Sequence, residues 1–207
     1  NGSSEMMGNL STSLVSILYN FQLMRLIGED GVAAFGVIMY VNFIFIGVFM
    51  GYSIGAGPIV SYHYGAGNQE ELRSLLRKSL LLMLAGCAGL TAAAVALAGP
   101  LSRIFVSYDA DLLALTTRGF QLYSLSFLAM GFNIFGSAFF TALSNGVISA
   151  AIAFLRTLLF QTAAIFILPL FLGLDGIWLA VTAAELLTLA VTALFLTTQR
   201  RRYGYGG

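Results

Sequence analysis

One carboxylate, Glu185, lies within the last long apolar stretch of the sequence, and Arg156 interrupts the apolar stretch before it. An ionised carboxylate is costly inside a lipid bilayer, so Glu185 must be protonated, paired with a basic side chain or bound to a cation. The long side chain of Arg156 can reach it from a neighbouring helix. Two interpretations stay open: a permanent ion pair that joins two helices, and a carboxylate whose protonation changes during a functional cycle.

The first apolar stretch carries a stripe of polar side chains. Its members recur at steps of four, three, four and four residues, which places them on one helical face: Glu5, Asn9, Thr12, Ser16 and Asn20. Serine and threonine commonly join membrane helices by hydrogen bonds, so contact between helices is one interpretation. Two asparagines and a glutamate exceed what such contacts require, which favours the wall of a water-filled cavity.

A second polar stripe follows the same spacing in the fourth apolar stretch. It consists of Ser126, Asn133, Ser137, Thr141 and Ser144, with Met130 in the gap. The same two interpretations, contact between helices and the wall of a cavity, stay open for this stripe. In the second stretch, Asn42 lies among aromatic and methionine residues that could form an adaptable apolar pocket.

The composition indicates a chain embedded in a membrane. Of its 207 residues, 58% are hydrophobic and only 9% are charged, whereas soluble domains carry roughly 25% charged residues. A net charge of +1 and a longest basic run of three arginines give no face for nucleic acid. One cysteine and one histidine exclude an internal disulfide and a Cys-based metal cluster. No constellation of catalytic residues is present, so we expect no enzyme.

The elements that position these residues are predicted to be helices. Apolar stretches of about 20 residues or more predict an all-α protein with about six transmembrane spans, at residues 6–27, 32–62, 79–98, 112–143, 148–172 and 177–198. A short surface helix capped by Asn68 is expected within the polar segment 63–78, and Gly99-Pro100 is expected to end the third span. Glycines at 47, 51 and 55 predict close approach of another helix.

The distribution of basic residues predicts the orientation. Six of them fall on one side of the predicted spans: Arg73, Arg77, Lys78, Arg200, Arg201 and Arg202. The other side holds Arg25 and Arg103, with Arg118 nearby. Basic loops stay in the cytoplasm, so we expect both ends of this chain there, in the plasma (inner) membrane of a prokaryote. The chain begins without methionine, so we also expect it to be part of a longer protein.

Three segments, in order and spacing, carry a resemblance to a known family. They are Gly51–Gly67 (GYSIGAGPIVSYHYGAG), Phe140–Gly146 with Ser149 and Arg156, and Gly176–Glu185 with Trp178. Together they resemble the multidrug and toxic compound extrusion (MATE) family. The resemblance implies that residues 1–207 are the C-terminal lobe of a two-lobe, twelve-helix exporter, whose partner is the N-terminal lobe of the same transporter.

The family resemblance also implies export of small organic cations in exchange for H⁺ or Na⁺, with no other cofactor. Several cation-coupled relatives place an acid in the fourth helix of this lobe, where this sequence has Asn133. An asparagine can offer a carbonyl oxygen to Na⁺ but cannot carry a proton, and no firm metal site is expected. Coupling would therefore involve Glu185 with Arg156, or Glu5, or an acid of the other lobe.

The leading hypothesis is secondary active efflux of cationic amphipathic compounds by antiport and alternating access. The polar faces would bind the substrate through Asn9, Thr12, Ser16, Asn20, Asn42 and Ser137. The alternatives are a flippase for a lipid-linked or polysaccharide substrate, which would need several cationic groups for phosphate, and a membrane fragment that does not transport.

Overall fold

The computed structural model describes residues 2–205, with the side chains of residues 11–205. Within this range the chain forms helices and no strands, which confirms the predicted all-α class. The helices are α1 (Gly2–Leu26), α2 (Glu29–Gly65), α3 (Gln69–Val106), α4 (Ala110–Ser124), α5 (Phe127–Ala142), α6 (Gly146–Phe154), a π-helical segment (Leu155–Gln161), α7 (Thr162–Leu172), α8 (Leu174–Thr198) and the short α9 (Arg200–Tyr203).

Four described helices are long and apolar enough to cross a membrane. They are Glu29–Gly65, Gln69–Val106, Gly146–Leu172 and Leu174–Thr198. The bent pair α4 and α5 adds a fifth span if it crosses as one unit. The first predicted span falls in α1, where the side chains of residues 1–10, including Glu5 and Asn9, lie outside the described residues.

The predicted surface helix and the third predicted span are one helix, which corrects two boundaries. Asn68 caps α3 as expected, accepting a hydrogen bond from the Glu71 amide at 3.2 Å. The helix then runs through Pro100 to Val106. At 1.5 Å per residue its 38 residues span about 57 Å, so its ends project beyond a hydrocarbon core of roughly 30 Å. The polar first turns are compatible with this because they lie outside the hydrocarbon core, where charged side chains keep their contact with water.

The fourth predicted span is broken rather than continuous. Between α4 and α5 the chain bends by 48°. Around the break the backbone makes tighter bonds, from the Leu125 amide to Leu122 and from the Ser126 amide to Tyr123. The Ser124 hydroxyl donates to the Phe120 carbonyl at 2.7 Å. Such hydroxyl bonds compete with the regular helical ladder and bend helices, which is the physical reason for the difference.

No described residue packs against the glycines at 47, 51 and 55, so close approach of another helix there stays a prediction. A Cβ at any of them would meet no atom of the described chain within 4 Å. Close approach occurs instead on α5, where a Cβ at Gly131 would lie 2.7 Å from the Cys87 sulfur. α5 contacts α2, α3, α6 and α8, and so joins both halves of the described bundle.

Two clusters of buried side chains hold the bundle together. One contains Tyr19, Phe120, Phe127 and Trp178, and the other contains Phe139, Phe140 and the tail residues Tyr203 and Tyr205. Asn145 fixes the tail by donating to the Tyr203 hydroxyl oxygen at 2.7 Å. Lipid tails are as apolar as these side chains, so close packing and interhelical hydrogen bonds provide the stabilisation.

Candidate functional site

Glu185 and Arg156 form a buried ion pair between α8 and the π-helical segment. Arg156 Nη2 lies 2.6 Å from Glu185 Oε1, and Arg156 Nε donates to the same oxygen at 2.7 Å. The side chain of Glu185 is 4% exposed and that of Arg156 is 24% exposed. The carboxylate of Glu185 is thus shielded from solvent, whereas the guanidinium of Arg156 is partly exposed to solvent.

Asn133 of α5 completes the cluster from the opposite side. Its Nδ2 donates to Glu185 Oε2 at 2.8 Å and to the Glu185 backbone oxygen at 2.9 Å. Its Oδ1 accepts from the Thr192 hydroxyl at 3.0 Å. Both carboxylate oxygens of Glu185 therefore have donors, which makes an ionised carboxylate tolerable here. In this arrangement the Asn133 carbonyl oxygen, the group considered for Na⁺, is directed at Thr192.

Two cavities meet at this cluster. A smaller one of about 190 Å³ is bordered by α1, α2 and α8 and is lined by both Arg156 and Glu185. A larger one of about 790 Å³ is bordered by α2, α5 and α6 and is lined by both Arg156 and Asn133. Arg156 lines both cavities and contacts the carboxylate of Glu185. A charge change at the carboxylate can therefore act on the larger cavity through Arg156.

The predicted substrate-binding residues divide between the two cavities. Thr12, Ser16 and Asn42 line the smaller one, and Ser137 lines the larger one. Asn20 lines neither, because its amide donates to the Ser16 backbone oxygen at 2.9 Å. Glu5 and Asn9 lie outside the residues whose side chains are described.

Asn42 presents an unused hydrogen-bond acceptor to the smaller cavity. The residue is 5% exposed, and its Oδ1 has no hydrogen-bond partner among residues 11–205. Its amide nitrogen has only a weak contact with the Met39 sulfur, at 3.9 Å. A buried unsatisfied acceptor is costly, so a cation, a water molecule or a substrate donor would be favourable at this position.

Sequence reasoning missed part of the site. Ser149 joins the second polar stripe, with its hydroxyl 2.9 Å from Ser137 Oγ and 2.7 Å from Thr141 Oγ1. Tyr19, Tyr123 and Gln161 line the smaller cavity. Ser149 occurs in the second family-like segment, which was a usable signal. No residue pattern in the sequence predicts the π-helical segment, although such segments are frequent at functional sites.

Acidic and sulfur ligands are not grouped for a metal elsewhere in the described part of the chain. No set of three or more His, Cys, Asp or Glu side chains lies close enough to hold an ion there. The contacts of the Glu185 carboxylate are themselves nitrogen donors, from Arg156 and Asn133.

Gly136 of α5 allows close approach of α8 beside the Glu185 cluster. We expect replacement of this glycine to disturb the packing of the two helices. A Cβ at this position would overlap the methyl group of Thr192, which donates to Asn133. We expect Gly136→Ala to destabilise the protein by about 1–3 kcal/mol, the usual cost of overpacking. Unfolding in mixed detergent micelles measures this, with Gly51→Ala as the matched control because a Cβ at Gly51 meets nothing within 4 Å. Equal stability of the two variants would contradict the prediction.

Known structures share the fold of this chain. An inward-facing multidrug resistance MATE family transporter of the MOP superfamily superposes with a TM-score of 0.92 over 100% of this chain and 48% of its own, at 18% identity. An outward-facing one gives 0.90 over 98% and 46%, at 20% identity. The Vibrio cholerae MATE transporter VcmN in its bent form gives 0.89 over 98% and 46%, at 18% identity.

The chain spans slightly less than half the length of these structures, as one lobe of a two-lobe transporter would. At such identities the similarity establishes the fold alone. Among proteins of curated function, none matches the sequence. The family itself is established by a model of the MatE family, which matches residues 6–167, most of the chain. The chain therefore belongs to the MatE family and is a multi-pass membrane protein.

Proposed function

We propose that this chain is the C-terminal lobe of a secondary antiporter that exports cationic amphipathic compounds in exchange for H⁺ or Na⁺. The observation that carries the proposal is the carboxylate of Glu185, the one buried acidic side chain among residues 11–205, which is paired with Arg156 where two cavities meet. An ionisable residue inside a membrane protein most often marks an ion or substrate pathway.

Exchange would follow because the coupling ion and Arg156 compete for the one negative charge of Glu185. In the paired arrangement, Arg156 neutralises Glu185. When a proton or Na⁺ binds the carboxylate, the guanidinium loses its partner and is free to turn toward the larger cavity. A positively charged guanidinium there would repel a cationic substrate and favour its release. Because each ligand favours a different state of the same pair, binding of one opposes binding of the other.

The larger cavity supports an amphipathic substrate. Its volume of about 790 Å³ is in the range of drug-sized sites, which are roughly 300–1,000 Å³. Apolar side chains such as Ile46, Met50 and Ile54 line one part of it, and the hydroxyls of Ser137 and Ser149 line another. A cation with an aromatic or aliphatic body would find both dispersion contacts and hydrogen-bond partners there.

Alternating access would require the second lobe. Relatives of about twice this length are known in inward-facing and outward-facing conformations, and rocking of two lobes around a central site is the general mechanism of such transporters. We place the N-terminal lobe of the same transporter as the partner, the prokaryotic plasma membrane as the location, and both ends of this chain in the cytoplasm. No organic cofactor, catalytic activity or nucleic-acid partner is part of the proposal.

A flippase for a lipid-linked or polysaccharide substrate is the alternative. Such a substrate carries phosphate, which needs several basic side chains. Among the described residues, Arg156 is the one basic side chain that lines the larger cavity, and Glu185 already neutralises it. The cavity therefore offers no net positive charge that would favour an anionic substrate.

Dye transport by the intact transporter in proteoliposomes tests the proposal. A fluorescent amphipathic cation should move against its own gradient when an H⁺ or a Na⁺ gradient is imposed, and not when both are absent. Protein-free vesicles serve as the control. If neither gradient moves the dye, while a fluorescent phospholipid or lipid-linked sugar crosses the bilayer in the same vesicles, the flippase alternative replaces the antiporter. If neither substrate moves, transport by this protein is contradicted.

A further inference from the structure

A groove of about 430 Å³ runs along the outer face of α3, apart from both cavities at the ion pair. Its lining is Arg73, Leu76, Arg77, Leu80, Leu81, Leu84, Phe132 and Tyr205. It shares no lining residue with either cavity at the Glu185 cluster. Any ligand of this groove is therefore recognised independently of the exchanged ion and the exported substrate.

One end of the groove carries two basic side chains. Arg73 and Arg77 are four residues apart on α3, so their side chains lie on the same helical face. Both are exposed, and neither forms an ion pair with the other residues that the structure describes, including the nearby Glu70 and Glu71. Two unpaired guanidinium groups on one face are a suitable partner for a phosphate group.

Tyr205 adds a buried hydrogen-bond donor to the same groove. The residue is 5% exposed, and its hydroxyl group has no hydrogen-bond partner among the described residues. Burial raises the pKa of Tyr205 well above its ordinary value, so the phenol keeps its proton. An unsatisfied buried donor is costly unless a ligand supplies an acceptor, and a phosphate oxygen is such an acceptor.

The other end of the groove is apolar. Leu80, Leu81 and Leu84 follow the arginines along α3, and Leu81 and Leu84 are both more than half exposed. From Arg77 to Leu84 the helix rises by about 10 Å. Along this distance the surface changes from cationic to fully apolar, the same order in which a phospholipid changes from its phosphate to its acyl chains.

We propose that this groove binds an anionic phospholipid, with its phosphate on Arg73, Arg77 and the Tyr205 hydroxyl and an acyl chain along the leucines of α3. The basic residues of membrane proteins that face the headgroup region recognise anionic lipids in this way. Since Tyr205 lies after α9 and packs with Tyr203 against α5, the lipid would join the tail to the bundle.

The test is binding of fluorescent phosphatidylglycerol to the purified intact transporter in detergent, followed by anisotropy. Phosphatidylcholine with the same chains is the neutral comparison and should bind at least about tenfold more weakly. The R73A/R77A variant should lose about tenfold or more in affinity for phosphatidylglycerol. Y205F should lose about threefold, because it removes one hydrogen bond without changing the shape of the ring.

The matched control is R200A/R201A, which removes two exposed arginines of α9 that do not line the groove. It should bind phosphatidylglycerol within about twofold of the intact protein. Equal losses in the two double variants would mean diffuse surface attraction and would overturn the proposal. Competition by glycerol phosphate as strong as that by the lipid would overturn it too, since the acyl chain would then contribute nothing. If R73A/R77A does not fold, R77A alone is judged by the same criteria.

Discussion

Ion-driven export of a fluorescent cation should fall by at least about tenfold when Glu185 is replaced by glutamine. The amide has nearly the same shape, and its single carbonyl oxygen can still accept from Arg156, whereas its NH2 group would replace the oxygen that accepts from Asn133. It can neither carry a proton nor hold a cation by charge. Proteoliposomes with an imposed H⁺ or Na⁺ gradient measure the effect, at matched protein levels.

A second readout separates coupling from damage to the fold. Downhill movement of the dye, without an ion gradient, should persist in Glu185→Gln because the larger cavity is intact. Asp175→Asn is the matched control, since Asp175 is the other paired carboxylate of the described chain but is 43% exposed. If Glu185→Gln keeps full ion-driven export, coupling lies at Glu5 or in the other lobe.

Replacement of Arg156 by alanine should be the most destabilising charge removal in this chain. It would leave the carboxylate of Glu185 buried without its partner, and breaking a buried ion pair from one side costs about 3–5 kcal/mol. The exposed pair of Arg118 and Asp175 offers a control, because its side chains are 59% and 43% exposed. Arg118→Ala should cost no more than about 1 kcal/mol.

The double variant Arg156→Ala/Glu185→Gln separates the two sources of this cost. It removes the uncompensated charge, so it should recover most of the stability lost in Arg156→Ala. Unfolding of these three variants and of the unchanged protein in mixed detergent micelles supplies the comparison. An Arg156→Ala variant as stable as Arg118→Ala would show that Glu185 is not held as a buried, charged partner of Arg156.

The helical class and several helix ends could be predicted from the sequence because local chemistry determines them. Asn68 and Asn145 cap α3 and α6 through their side chains. Gly28 and Gly173 lie at the turns after α1 and α7 with positive φ angles of 89° and 57°, which glycine adopts without strain. Each of these features needs only a residue and its immediate neighbours in sequence.

The features that the sequence did not reveal depend on contacts between distant segments. The break at Leu125 and the π-helical turn around Arg156 have no composition that distinguishes them from the regular helix beside them. The continuous α3 was missed because the polar residues at its start suggested a separate surface helix. In a membrane, a helix that projects beyond the lipid can be polar at one end and apolar along the rest.

The candidate site was predictable in its residue types and only partly in its geometry. The cost of charge in lipid is enough to predict that Glu185 and Arg156 can be partners. The polar stripe predicts the helical face on which Asn133 lies. It does not predict the contact of Asn133 with Glu185, because the two residues are 52 positions apart. The alternatives of a permanent pair and a switchable one cannot be separated by residue pattern, because both need the same two side chains.

In the proposed cycle, binding of the coupling ion to the carboxylate of Glu185 releases Arg156 and thereby opposes binding of the exported cation. Equilibrium binding of a fluorescent cation to the purified intact transporter, titrated over pH and over Na⁺ concentration, tests this most directly. We predict that the affinity for the dye weakens by at least about tenfold as the coupling ion saturates the site. This dependence should be absent in Glu185→Gln. The same ion dependence in the intact protein and in Glu185→Gln would contradict the claim.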